Sequence, residues 1–310
     1  MRTNLLHLRH GALRAQLAPC IGGSIARFYS ELGDGRRWHW LRPATEGALR
    51  ERDARAMASF PLLPFSNRLR DGRATFGERS IALRPHHSTA PHALHGLGWQ
   101  LPWQSKRIGP AHARMTLSYA GPGPDGADGW PWPFQATQEI RLDDQGLLLD
   151  LSIRNLGTSP MPVGLGHHPY LPRRRGTRLA ADLAGMWATD AECLPTQLQR
   201  PPLLNQLAQG RTVQGLRLDN NFCGWQGVAR VDWPASGFYR PAALTLRAQA
   251  PLTLLALYMP PQSPWFCVEP VSNCTDWLNL DGYPREATGG NELASGATLH
   301  TSLRLETFIK

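Results

Sequence analysis

Lysine is nearly missing from this sequence: of 33 basic residues only Lys106 and Lys310 are lysines. The net charge of +9 therefore rests on arginines, most of them placed singly in a chain rich in Ala, Leu, Gly and Pro. Clustered cations bind a phosphate backbone by releasing its counterions, and a nucleic-acid module of the RNP1 kind adds aromatic rings to them. No such module occurs, so no nucleic-acid partner is expected. No stretch reaches 18 apolar residues, which excludes a membrane-spanning helix, and "MRTNLLHLRHGALRAQLAP" lacks the unbroken apolar run of a secretory signal. A cytosolic protein without a membrane partner is expected. The five cysteines, Cys20, Cys193, Cys223, Cys267 and Cys274, are odd in number, scattered and without a CxxC pair. They fit reduced thiols better than a disulfide framework.

What the chain has in quantity is alternation. In "FQATQEIRL", Phe134, Ala136, Ile140 and Leu142 oppose Gln135, Thr137, Glu139 and Arg141, the period of two that marks a half-buried strand. After "DDQG" the pattern returns in "LLLDLSIRN", with Leu149, Leu151 and Ile153 against Asp150, Ser152 and Arg154, so the two segments read as a hairpin. "RMTLSY", "ALTLRAQ" and "TLHTSLRLETF" repeat it. The nearly all-apolar "LTLLALYM", residues 252–259, suits a strand covered on both faces. Thirty glycines and 27 prolines punctuate these segments, and no helix longer than a few turns is evident. With 42% hydrophobic and 18% charged residues, 310 residues can bury a large core. The expectation is an all-β protein, one large antiparallel β-sandwich over residues 1–310, undivided because no linker, low-complexity tract or repeat interrupts it.

Residues that carry chemistry gather where the alternation breaks. "PHHSTAPHALHGLGW" holds His86, His87, His92 and His95, and "GHHP" holds His167 and His168. A lone histidine is more often a hydrogen-bonded surface or core imidazole. His95, however, precedes the aromatic "GWQLPW", stacking surface of the kind a sugar ring prefers, and the proline after His168 holds that residue extended. In "PWFCVEPVSN", Glu269 stands among Trp265, Phe266, Cys267 and Val268 and before Pro270 and Val271. Burial there would raise its pKa toward neutrality and suit it to general-base work. Two histidines and a glutamate also match a facial iron triad or a three-ligand zinc site. Against that, His92 and His95 lack the H-x-H spacing that sets two imidazoles on one strand face, and no H-E-x-x-H occurs. No metal and no cofactor are expected. Two basic clusters remain: "RERDAR", residues 50–55, mixes signs like the solvated face of a short helix, and "PRRRGTR", residues 172–178, is wholly basic.

"NRLRDGRATF", "HALHG", "GHHPYL", "LRLDNNF" and "VEPVSNCTDWLN" follow one another between residues 67 and 279. In that order and spacing the chain resembles the aldose 1-epimerases, or galactose mutarotases, and "APCIGGSIARF" resembles the family's first hairpin. The resemblance implies the galactose mutarotase-like β-sandwich with an open cleft, and cofactor-free interconversion of the α and β anomers of an aldose. By resemblance Glu269 takes the proton of the C1 hydroxyl, His168 gives one to the ring oxygen O5, and His95 binds O5 or a neighbouring hydroxyl. Arg68 and Asp219 match positions that hold ring hydroxyls, and Asn67, beside Arg68 in the same motif, joins them as a substrate-binding residue. The partner implied is a monosaccharide, and the assembly expected is a monomer or homodimer.

His167 matches no family role and reads as support for its loop. Many relatives carry a second glycine after "HG", where this chain has Leu97; the departure touches the choice of sugar rather than the reaction. Arg173, Arg174 and Arg175 begin five residues after His168, and an arginine fork suits a phosphate. A hexose-6-phosphate mutarotase is therefore one alternative, and a catalytically silent sugar-binding module of the same fold is another. Three consecutive side chains cannot all face a cleft, so most of the run is expected to be solvated and a neutral hexose to be the better or equal substrate.

Overall fold

The computed structural model describes residues 5–122, 129–237 and 239–310. About 50% of the chain is strand and 8% helix, as the alternation requires. Phe134–Asp143 and Gly146–Asn155 form the expected hairpin, with Asp143 opposite Gly146. Asp143 shapes the turn itself, its Oδ1 accepting from the backbone N–H groups of Gln145 and Gly146 at 3.0 and 3.2 Å. Phe134, Ala136, Ile140 and Leu142 all turn inward. Gln138 shares that inward phase, and its amide is satisfied by donating to the Gly23 carbonyl at 3.0 Å.

This hairpin lies within a nine-stranded antiparallel sheet. Its order is Gln104–Gly109, His112–Tyr119, Phe134–Asp143, Gly146–Asn155, Thr298–Ile309, Ala242–Ala248, Val228–Trp233, Arg178–Ala181 and Arg211–Thr212. A second antiparallel sheet runs Pro195–Gln199, Gly185–Thr189, Leu218–Cys223, Leu254–Met259, Trp265–Val271, Gly166–His167 and Pro61–Leu62, and Tyr170–Pro172 also pairs with Trp265–Val271. The two pack as a β-sandwich. Leu255, Leu257, Phe266 and Val268 of the second sheet join Ile140, Leu149, Leu151 and Leu303 of the first in one core. Burying a leucine in this way contributes about 2 kcal/mol.

Alternate residues of the second sheet face the other way. Leu254, Ala256 and Cys267 join Trp187 and Tyr170 in a separate buried cluster, so Leu254–Met259 is covered on both faces, as its composition implies. A four-stranded sheet of Leu6–His10, Leu13–Ala18, Ser24–Glu31 and Arg37–His39 completes the N-terminal part. The described helices Glu46–Glu51, Leu203–Ala208 and Arg285–Thr288 are short, and none is long and apolar enough to cross a membrane. All five cysteines are unpaired.

Candidate active site

Strand pairing builds the floor of a cleft. Asp219 stands opposite Tyr258, Tyr258 opposite Cys267, and Ala256 opposite Glu269. Side chains two apart along a strand share a face, so Asp219, Tyr258, Trp265, Cys267 and Glu269 project to the side away from the inter-sheet core. His168 arrives just beyond Gly166–His167: the following proline keeps it extended, and its N–H donates to the Phe60 carbonyl at 3.0 Å. Over this floor opens a cleft of about 300 Å³.

His168 Nε2 lies 3.3 Å from Glu269 Oε1, and the two residues are only 5% and 3% exposed. Burial, with the Asp219 carboxylate nearby, pushes the Glu269 carboxyl well above its usual range, and Arg68 offsets only part of this. Burial, followed by the charge of Arg42, pushes His168 down to about 3. Both shifts favour the uncharged form.

His95 sits in left-handed backbone with φ 56°, and Asn67 with φ 61°. The Asn67 N–H donates to His95 Nδ1 at 2.9 Å, and the His95 N–H donates to the Asn67 carbonyl at 2.8 Å. A ring nitrogen that accepts carries no proton, so neutral His95 bears its hydrogen on Nε2. Burial and the neighbouring His168 hold its pKa well below the usual histidine value, so it meets the cleft as a donor. Gly96 follows at φ 66°, where an added Cβ would lie 2.3 Å from the Leu63 carbonyl oxygen. That approach is the physical content of the "HG" motif.

Arg68 Nη2 donates to Asp219 Oδ2 at 3.0 Å, while its N and Nη1 donate to Asn67 Oδ1 at 2.9 and 3.1 Å. The segment is also tied to the stretch that follows the glutamate strand Trp265–Val271. The Ser66 N–H donates to Asn273 Oδ1 at 3.0 Å, and Arg70 donates to the buried Asp276 carboxylate from both N and Nε.

All six residues singled out in the sequence, Glu269, His168, His95, Arg68, Asp219 and Asn67, line this one cleft. His167 does not: it is 2% exposed, and burial alone pushes it down to about 4. His92 is buried too, its Nδ1 accepting from the Asp71 N–H at 3.1 Å.

Three expectations are corrected by the structure. Trp99 and Trp103 are no sugar platform, because both are buried and their indole N–H groups donate to the Leu94 and Gly98 carbonyls at 3.1 and 2.8 Å. Aromatic lining comes instead from Tyr170, Tyr258 and Trp265, whose convergence depends on strand pairing. The run Arg173, Arg174 and Arg175 is neither mostly solvated nor in the cleft. Arg173 Nη1 donates to the Pro260 carbonyl at 2.9 Å, the Arg174 guanidinium lies 3.8 Å over the Trp38 ring, and only Arg175 is exposed. Within "RERDAR", residues 50–52 are solvated as expected, but Arg55 turns into the cleft, its Nε donating to Asp53 Oδ1 at 3.3 Å.

Cys267 brings its thiol within 4.8 Å of the His168 and Glu269 donor atoms, a set soft enough for zinc. A metal-bound imidazole, however, almost always donates its second nitrogen to a partner that orients it. His168 Nδ1 is buried without a partner among the described residues, so the set fits proton transfer better than metal binding.

Two large antiparallel sheets with an open cleft on the outer face of one define the galactose mutarotase-like fold. The crystal structure of a candidate aldose 1-epimerase from Escherichia coli K12 superposes with a TM-score of 0.84 at 24% identity, covering 99% of each chain. A galactose mutarotase-like protein from Clostridium acetobutylicum superposes with a TM-score of 0.82 at 17% identity, covering 99% of this chain and 95% of that one. The chain belongs to the aldose 1-epimerase family, whose profile matches residues 4–279. It is also 27% identical over 309 residues to the uncharacterised Escherichia coli K12 protein YphB, covering 96% of this chain and 98% of YphB. Family membership supports an isomerase that acts on a sugar.

Proposed function

We propose that this protein is an aldose 1-epimerase that opens and recloses an aldohexose ring without metal or cofactor. The observation that carries the reading is the buried Glu269–His168 pair, 3.3 Å apart on the floor of a cleft of about 300 Å³ that also holds Arg68 and Asp219. Mutarotation needs a base for the O1 proton and an acid for O5. Glu269 as carboxylate and His168 as imidazolium supply the two, and the 3.3 Å between them lets a proton pass from one to the other.

Glu269 then takes the O1 proton as the C1–O5 bond breaks, and the bond electrons go to O5, which receives the His168 proton. The product is the open aldehyde. Rotation about C1–C2 presents the other face of the carbonyl, and the same two groups exchange roles on closure. His95, a neutral Nε2–H donor, stabilises charge developing at O5 or an adjacent hydroxyl. Arg68, Asp219 and Asn67 supply donors and acceptors for ring hydroxyls.

With Arg173 and Arg174 committed elsewhere, the argument they offered for a phosphorylated sugar falls away, and a neutral aldohexose remains the proposed substrate. The test is polarimetry of freshly dissolved α-glucose and α-galactose with purified protein, where equilibration is expected to accelerate. Folded protein that left the rate of every common aldose unchanged would sink the enzyme reading in favour of a silent sugar-binding module.

A further inference from the structure

The groups of the cleft follow one another in a circuit. Asp219 projects from the same sheet face as Glu269 and accepts from Arg68 at 3.0 Å, Arg68 donates to Asn67 Oδ1 at 3.1 Å, and the Asn67 N–H donates to His95 Nδ1 at 2.9 Å. Phe60 closes the circuit, its ring 5.9 Å from that of His95 and 4.6 Å from that of His168, whose Nε2 meets Glu269 at 3.3 Å. A pyranose has its own cyclic order: O1, the C2 to C4 hydroxyls, C5 with its C6 arm, and O5. With O1 at Glu269 and O5 at His168, the C2 to C4 hydroxyls fall to the side of Asp219 and Arg68. The C6 arm falls to the side of His95 and Phe60.

Arg55 lines the cleft on that second side. Its Nη2 is 3.3 Å from Nε2 of His87, the neighbouring His86 ring lies 5.1 Å from that of Trp99, and Trp99 meets His95 edge-on at 6.2 Å. The residue is fastened along its length. Its N–H donates to Asp53 Oδ1 at 2.9 Å and its carbonyl accepts from Arg42 Nη2, while in the head Nε lies 3.3 Å from Asp53 Oδ1 and Nη2 3.5 Å from Asp53 Oδ2. Nη1 has no hydrogen-bond partner among the described residues.

We propose that Arg55 is a specificity-determining residue of this cleft, donating from Nη1 to the C6 hydroxyl of the bound sugar and so favouring aldohexoses that carry one. The role rests on the mutarotase reading and deepens it. A guanidinium already held at its backbone and at two of its nitrogens gives up little freedom on meeting a ligand. With Asp53 paired to it, Arg55 adds no net charge to the cleft, so its free nitrogen suits a hydroxyl better than a phosphate or a carboxylate. This agrees with a neutral substrate.

Other polar groups at this rim are already engaged. Ser88 Oγ bonds to His86 Nδ1 at 2.7 Å, and Thr89 Oγ1 donates to the His92 carbonyl at 3.1 Å. A partly exposed arginine paired with a carboxylate two residues away contributes little to stability. Its loss is therefore read in the choice of sugar and not in the fold.

The experiment measures kcat/KM by polarimetry for glucose, 6-deoxyglucose and 2-deoxyglucose, in the wild type and in Arg55→Leu; Arg55→Ala replaces the leucine variant if that does not fold. A charge-assisted hydrogen bond at a partly exposed rim should give the wild type about a tenfold preference for glucose over 6-deoxyglucose. In the variant that ratio should fall to near one, while the ratio of glucose to 2-deoxyglucose stays as in the wild type. A wild type without the preference, a preference that survives the substitution however far the rates fall, or a shift in the 2-deoxyglucose ratio instead would overturn the proposal. Titrating tryptophan fluorescence with the same sugars, with Trp265 in the cleft, reads the same ratios as dissociation constants. Binding that shows them without turnover refutes the mutarotase reading alone and leaves Arg55 its role; a protein that binds none of the three overturns both.

Discussion

Of the adjacent His167 and His168 only the second lines the cleft, and acid should separate their roles. His167 is 2% exposed, with Nε2 buried and unpartnered, so protonating it in the folded state means burying an uncompensated charge. Its pKa falls from 6.5 to about 4 on folding. A depressed histidine favours the folded state fully above its unfolded pKa, and that stability is lost as pH falls from 6.5 toward 4, because the unfolded chain binds the proton first. At 1.36 kcal/mol per pH unit, this residue alone should remove about 3 kcal/mol between pH 7 and pH 4. His167→Leu carries no proton in either state. Denaturant unfolding of both proteins across this range should show the variant losing about 3 kcal/mol less than wild type, whatever its stability at pH 7. Its mutarotation at neutral pH should stay within a few-fold of wild type, since His167 does not line the cleft. Parallel stability curves would refute the burial argument, and a hundredfold loss of turnover would refute the division of labour.

The catalytic pair should fail by amounts typical of general acid–base groups. Glu269→Gln and His168→Asn should each lower kcat by at least about 10²-fold, while His95→Asn retains more activity; near wild-type turnover in Glu269→Gln would mean the wrong carboxylate had been chosen. Dialysis against a chelator should leave the polarimetric rate unchanged. Loss of activity restored by one divalent ion would instead point to a centre built on His168, Cys267 and Glu269.

Alternation made the strands legible, since the inward phase of Phe134, Ala136, Ile140 and Leu142 is a direct record of burial. Glu269, His168 and His95 were legible because each stands in a short linear motif whose neighbours shape it: a proline after His168, a glycine after His95. The walls of the cleft were not. Tyr258 and Trp265 reach it because their strands pair in one register, with Tyr258 opposite Cys267, two residues from each of Trp265 and Glu269. No local pattern reports a register between distant strands. Arg55 was hidden for a related reason: its mixed-sign neighbours describe the exposed end of Glu46–Glu51, and the short turn at Ala54–Ala56 then swings it inward. Arg174 finds its partner in Trp38, on a strand of a different sheet.

His95 keeps its imidazole over the cleft in a backbone conformation that asparagine or glycine adopts more comfortably, a difference of about 1 kcal/mol. A laboratory population selected for heat resistance, with no sugar to process, would therefore drift toward Asn at position 95, whose Oδ1 can still accept from the Asn67 N–H. The winners would survive higher temperatures and turn over more slowly. On the proposed reading, a redesign guided by thermal stability alone would erase that donor first.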